Sequence, residues 1–180
     1  MLDDDYKKIL IIRPLFEGME VDSMNMPVIK AAKIENIRKK KVFLTNFKNL
    51  KSVQDRKNTI IDLFNYDDVL KSTWNDPLKY VAKFDGLLAV ASPDFSVYPS
   101  MNKFELEHNI YKSRWVGALW QSMGITVIPT ISWANSDTYD ICFSGIEKGA
   151  IVIISTIGVT KNKKQFLEGF QEMKKDWNLL

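Results

Sequence analysis

Apolar and polar positions alternate at different periods along the chain, and the second half is the more regular. Leu87-Leu88-Ala89-Val90-Ala91 is an unbroken apolar run of strand length. Ile125 to Ile131 reads as the next strand, and Ala150 to Ser155 is a further apolar run. Between the first two runs, Leu106, Ile110, Ser113, Gly117 and Trp120 recur at helical spacing, so residues 102–123 predict a long helix with a core-facing stripe. Gly117 in that stripe lets the helix approach a sheet closely. Asn102, with Glu105 three residues on, suits its start, and Gly124 its end. Asn135 or Ser136 opens a further helix to Gly145, and Lys161 or Asn162 opens the last, to about Trp177. Strands buried on both faces and joined by helices imply a parallel sheet, so residues 86–177 predict β-α-β-α-β-α.

The first half reads less clearly. Lys8 to Arg13 suits a short strand closed by Pro14, and Met19 to Lys30 an extended, partly buried arm; residues 1–30 together form an N-terminal arm and strand. Lys41 to Thr45 and Thr59 to Phe64 are rich in strand formers. Asn65 is placed to cap a short helix through Trp74, and Asp76-Pro77 to open another ending at Phe84. No linker or repeat divides the chain. One α/β domain over 1–180 is expected, mainly a parallel sheet flanked by helices.

Composition narrows the class without naming a reaction. The 180 residues are 46% hydrophobic and 26% charged, the balance of a globular protein rather than a disordered one. No apolar run approaches a membrane span, and the acidic start Met1-Leu2-Asp3-Asp4-Asp5 is unlike a secretory leader, so a cytoplasmic location is expected. A single cysteine, Cys142, excludes an intrachain disulfide and suits a buried hydrophobe; the single histidine, His108, suits a surface or capping position.

Charge is segregated. The chain is +3 overall, but residues 30–57 hold ten bases against two acids. Lys30, Lys33, Arg38, Lys39, Lys40, Lys41, Lys48 and Lys51, interleaved with Phe43 and Phe47, have the composition of a nucleic-acid footprint. Lysine outnumbers arginine, which favours contacts to phosphate backbone over base reading. A solvated, Lys-rich surface around one strand explains the same residues.

Parallel α/β sheets place ligands beyond the carboxyl ends of their strands. There the three clear runs empty into Asp94, Ser96 and Tyr98, into Thr130, Ser132 and Trp133, and into Ser155 and Thr156. Arg114 and Gln121, two turns apart on the long helix, either face a ligand or a buried carboxylate, or lie on a solvated face with contacts such as Lys103–Glu107 or Glu107–Arg114. The ligand-binding set is therefore Asp94, Ser96, Tyr98, Arg114, Gln121, Thr130, Ser132, Trp133, Ser155 and Thr156. Asp94, Arg114 and Ser132 are the catalytic candidates, with Asp94 as base and Arg114 holding an anionic group. No cofactor is expected; Asp94 with Asp137 leaves room for Mg²⁺. Thr156 to Thr160 resembles a phosphate-binding turn, although neither glycine-rich phosphate motif occurs.

Several blocks also resemble one family. They are Trp74-Asn75-Asp76-Pro77-Leu78-Lys79-Tyr80, Ser92 to Tyr98, Tyr111 to Gln121, Val127 to Trp133, Cys142-Phe143 with Gly145-Ile146, Ser155 to Gly158, and Phe166 to Phe170. In order and spacing they are similar to the family catalogued as domain of unknown function 4417, found in bacteria, phages and other mobile elements. The resemblance covers about residues 25 to 175. It implies a mobile-element setting and no particular reaction. Members of that family carry a further strand ending in Tyr-Gly after the last helix, whereas this sequence stops at Trp177-Asn178-Leu179-Leu180; either the sequence is cut short there or the strand is lost, and a lost strand would leave an open sheet edge for a partner or a second copy.

Three functions remain open on these grounds. One is a phage accessory protein binding nucleic acid through the basic segment. The second is a small-molecule or nucleotide-binding protein or enzyme using the strand-end pocket. The third is an interaction module that inhibits a host factor, for instance in defence, through the open edge or the Met-rich arm (Met19, Met24, Met26). No membrane partner is expected.

Overall fold

The computed structural model describes residues 13–35, 37–157 and 162–176. Its centre is a four-stranded parallel sheet in chain order: β1 (Phe43–Asn46), β2 (Thr59–Asp62), β3 (Ala89–Ala91) and β4 (Val127–Ile128). Phe43 pairs with Thr59, Ile61 with Val90, and Val90 with Val127. The expected α/β class with a parallel sheet is present. Half of the sheet, however, comes from the N-terminal segment that reads as irregular.

Five helices accompany it among the described residues: α1 (Asp67–Asn75), α2 (Val81–Phe84), α3 (Lys103–Ser122), α4 (Tyr139–Phe143) and α5 (Lys163–Asp176). The long helix begins as its sequence requires, with Asn102 accepting a hydrogen bond from the Phe104 amide. Gly124, at φ +83°, ends it in the left-handed region that glycine tolerates. The expected helix from Asn135 to Gly145 is instead a 3₁₀ turn (Ser136–Thr138) followed by the short α4. The segment joining β1 to β2 contains only 3₁₀ turns, Phe47–Ser52 and Arg56–Asn58.

The expected strand at Ala150 to Ser155 is reduced to one bridge, between Ile153 and Thr130. Ile131 donates to the Ile153 carbonyl at 3.0 Å, and Ile153 donates to that of Pro129 at 3.0 Å. The next rung toward the amino end needs an N–H at position 129, and proline has none. The short strand at Lys8 to Arg13 falls largely outside the described residues.

The sheet's two faces are covered differently. Ile61, Val90 and Val127 meet Trp115, Val116, Leu119 and Trp120 of α3 together with Tyr80 and Phe84, in the largest core cluster. Ile60, Ala89 and Ile128 face the other way, against Ala32, Ile34, Ile37, Val42, Ile151 and Ile153. Irregular chain thus covers the face where flanking helices were expected. The strand order explains this: when each strand is added beside the last in one direction, right-handed crossovers keep to one face. The arm covers what remains. Met26 and Ile29 are buried, Ile29 bridges to Ile146, and Gln121 clamps the Lys30 backbone through both its amide nitrogen and its oxygen at 2.9 Å. A Cβ at Gly117 would lie 2.4 Å from Ile29, so the absence of a side chain there admits the arm as well as the sheet.

Candidate functional site

Every strand ends on the same side of a parallel sheet, and a cavity of about 530 Å³ opens there. That size suits a small organic ligand, for which cavities run from about 300 to 1,000 Å³. Lys48 follows β1; Phe64, Asn65 and Tyr66 follow β2; Asp94 to Pro99 follow β3; Ile131 to Ala134 follow β4. Ser155, Ile157 and, just before and within α5, Asn162, Gln165 and Phe166 close the far side.

The walls are held by bonds that leave the interior free. After β2, Asn46 donates to the Asp62 carboxylate at 2.7 Å and to the Phe64 carbonyl, fixing the exit of that strand. After β3, the Asp67 carboxylate accepts from both the amide and the hydroxyl of Ser96, and Asn109 donates to the Ser96 carbonyl at 2.8 Å. After β4, the Trp133 indole stacks on Phe166, with ring centres 5.1 Å apart, and Gln165 donates to the Ala134 carbonyl at 2.7 Å. Helix α5 accepts the indole because residue 169 is glycine: a Cβ there would lie 2.0 Å from Trp133 Nε1.

Two polar atoms in this wall have no partner. Asp94 Oδ1 and Asn65 Nδ2 are both buried from solvent and unbonded. The Asp94 carboxyl is pushed up to about 6, chiefly by burial, aided by Asp67 and opposed by a hydrogen bond from Ser132 and by the charge of Arg114. Burial without compensation costs a polar group of order 1–3 kcal/mol. One spare acceptor and one spare donor in an aromatic-walled cavity are complementary to a planar, hydrogen-bonding ligand.

The sequence-predicted site separates into two groups. Asp94, Ser96, Tyr98, Ser132, Trp133 and Ser155 line the cavity, whereas Arg114, Gln121, Thr130 and Thr156 do not. Arg114 is 1% exposed and donates to the carbonyls of Ser144 (2.9 Å), Thr130 (2.9 Å) and Cys142 (2.8 Å). It faces neither a ligand nor solvent, because α3 is enclosed on all sides along that stretch; of the expected helix-face contacts, Lys103–Glu107 is present at 3.7 Å. Thr130 is bound to Ser92 through both its amide and its hydroxyl. Gln121 holds the arm, and Thr156 is exposed. Asp137 does not line the cavity, so the Asp94–Asp137 pair is not assembled there, and the described residues hold no cluster of three or more acidic, His or Cys side chains suited to a metal. Gly158 to Thr160 of the proposed phosphate turn lie outside the described residues. Cys142 is buried as expected, and exposed His108 meets the Trp74 ring edge at 5.7 Å.

Asn65, Tyr66, Asn162, Gln165 and Phe166 are cavity residues that the sequence does not mark as a site, and Lys48, expected in the nucleic-acid footprint, lines the cavity with them. Asn65 is not the cap its sequence position suggests: Tyr66 occupies the cap position of α1, and Asn65 makes no cap bond. Two strand-rich segments preceding Lys48 and Asn65 were the available signal.

The basic segment is divided by the edge strand. Arg38 to Lys41 lie at the amino end of β1, with the Lys41 ammonium 5.1 Å from the Phe43 ring centre. Lys48 and Lys51 lie beyond its carboxyl end. Lys30 pairs with Glu20, and Lys33 is exposed.

Residues 21–178 match the profile of the family described as Domain of unknown function (DUF4417). The chain belongs to that family. A DUF4417 chain of this kind is also similar to the "Gene 1 protein" of two mycobacteriophages, D29 and L5. Identity to each is 41% over 106 residues, or 57% of this chain. The match spans 39% of the D29 protein and 46% of the L5 protein, less than half of either. Both relatives are phage proteins. No solved structure matches. Among the described residues, no helix of this DUF4417 chain is long and apolar enough to cross a membrane.

Proposed function

We propose that the protein binds a nucleobase-containing ligand in the cavity at the carboxyl ends of its strands. One observation carries the reading: Asp94 and Asn65, whose Oδ1 and Nδ2 are left without partners, both line a cavity walled by Trp133, Phe166, Phe64 and Phe95. An aromatic ring stacks well on such walls. A nucleobase presents both a donor for the carboxylate and an acceptor for the amide. Calorimetric titration with nucleosides, nucleotides and short oligomers tests this, with Asp94→Asn, Asn65→Leu and Trp133→Leu as controls. Binding that all three variants lose supports the reading. The absence of binding by any of these ligands, or binding that the variants do not change, overturns it.

A second reading, nucleic-acid backbone held by the basic segment, is favoured by Lys48, which belongs to that segment and also lines the cavity. Arg38 to Lys41, at the other end of β1, contribute to it only if nucleic acid also passes along the edge strand.

A further inference from the structure

The cavity has a rim as well as an interior, and the rim is ordered like the sheet. Reading along the carboxyl ends, Lys48 follows β1, Tyr66 follows β2, Tyr98 follows β3, Trp133 follows β4, and Ile157 follows the bridge at Ile153. Three of its members lie mostly in water: Tyr66 is 80% exposed, Tyr98 56% and Ile157 79%. The Tyr66 and Tyr98 rings are left largely in solvent beside the cavity, the Tyr98 hydroxyl donating to Ser96 Oγ at 3.2 Å. The row also carries little positive charge. Lys48 is the one cation among the cavity residues described, and Asp94 opposes it. A free nucleoside triphosphate would bring several negative charges to a site with one ammonium, whereas a strand brings one charge per phosphodiester.

Resting on the nucleobase reading above, we propose that this row binds single-stranded nucleic acid. One base enters the cavity against Trp133 and bonds Asp94 and Asn65. Neighbouring bases stack on Tyr66 and Tyr98, and Lys48 meets a phosphate. Aromatic side chains on which successive bases stack are a common means of sequence-tolerant single-strand binding, usually beside a positively charged groove; here, among the described cavity residues, Lys48 alone supplies that charge. The basic cluster at Arg38 to Lys41 is not part of this row.

Fluorescence anisotropy with labelled 12-nucleotide single strands, the matching duplex, and unlabelled mononucleotide as competitor tests the proposal. Wild-type protein is expected to bind a single strand at least tenfold more tightly than the duplex. Tyr66→Ala and Tyr98→Ala, both at exposed positions, should each weaken it at least fivefold. The log of affinity should fall only gently with the log of salt, with a slope of about −1, as expected for one or two phosphate contacts. Equal binding of duplex and single strand overturns the proposal, as does indifference to both tyrosine substitutions. A steep salt slope abolished by replacing Arg38, Lys39, Lys40 and Lys41 with Gln overturns it in favour of the basic segment. Mononucleotide binding with no gain for the strand overturns it while upholding the cavity reading, and no binding of either overturns both.

Discussion

Two buried polar clusters lie near one another on the carboxyl side of the sheet, and they are finished differently. Around Arg114, a guanidinium donates to three backbone carbonyls, and Ser92, Ser113 and Thr130 bond one another beside it. Burial lowers the Arg114 pKa to about 10, opposed by Cys142, Asp94 and Asp22, so it remains charged at neutral pH. Around Asp94 the polar atoms are equally withdrawn from water, yet one oxygen and one amide nitrogen are left open. The first cluster has used its hydrogen-bonding capacity on its own chain. The second has kept some in reserve, which is what a binding site requires and a structural network avoids.

The sharpest way to break this contrast is Arg114→Met. It leaves three carbonyls without their donor and should cost about 4 kcal/mol in urea unfolding. Arg114→Lys should recover little, since a single ammonium does not reproduce a planar fork. Next comes Gly169→Ala, whose methyl would displace the Trp133 indole. A loss of about 2 kcal/mol is expected, with a changed near-ultraviolet dichroism from the tryptophan and weakened ligand binding.

Asp94→Asn sharpens the comparison from the other side. The native carboxyl titrates near 6, above its ordinary 3.8, so the folded state holds that proton more tightly than the unfolded one. The stabilisation is present below about pH 4 and is lost as pH rises through about 6. The variant should therefore be more stable than wild type by about 2 kcal/mol at pH 8 and nearly equal to it at pH 4. Ligand affinity of the wild type should fall as pH drops below 6, because a protonated Asp94 no longer accepts at both oxygens. The smallest stability change is expected for Asn65→Leu: a gain of about 1 kcal/mol, since a buried donor without a partner is removed and no bond is lost, while binding disappears.

How much of this was legible in the sequence follows from the range of the forces involved. Strand β3, the capped α3 and the carboxyl-end position of Asp94 and Trp133 follow from local periodicity and a general topological rule. Strands β1 and β2 are four residues each, shorter than a periodicity can settle, so Lys48, Asn65 and Tyr66 were not connected to the site. Arg114 illustrates the other limit. Its neighbours in sequence suggest a helix face, but its partners lie 16 to 30 residues away on the β4 exit and α4. Asn65 shows the same limit in reverse: its local role as a cap is the conventional one, and the neighbouring Tyr66 takes that position instead.

The chain-order sheet also bears on how the molecule assembles in time. Each strand pairs with the one synthesised before it, as in Phe43 with Thr59, Ile60 with Ala89 and Val90 with Val127, so each loop that closes the sheet is shorter than those that dock the arm. The arm is the exception. Asp22 reaches the Gly145 amide across 123 residues, and Lys30 reaches Gln121 across 91. Its docking therefore carries the larger loop-closure cost and is expected to follow formation of the layer it covers.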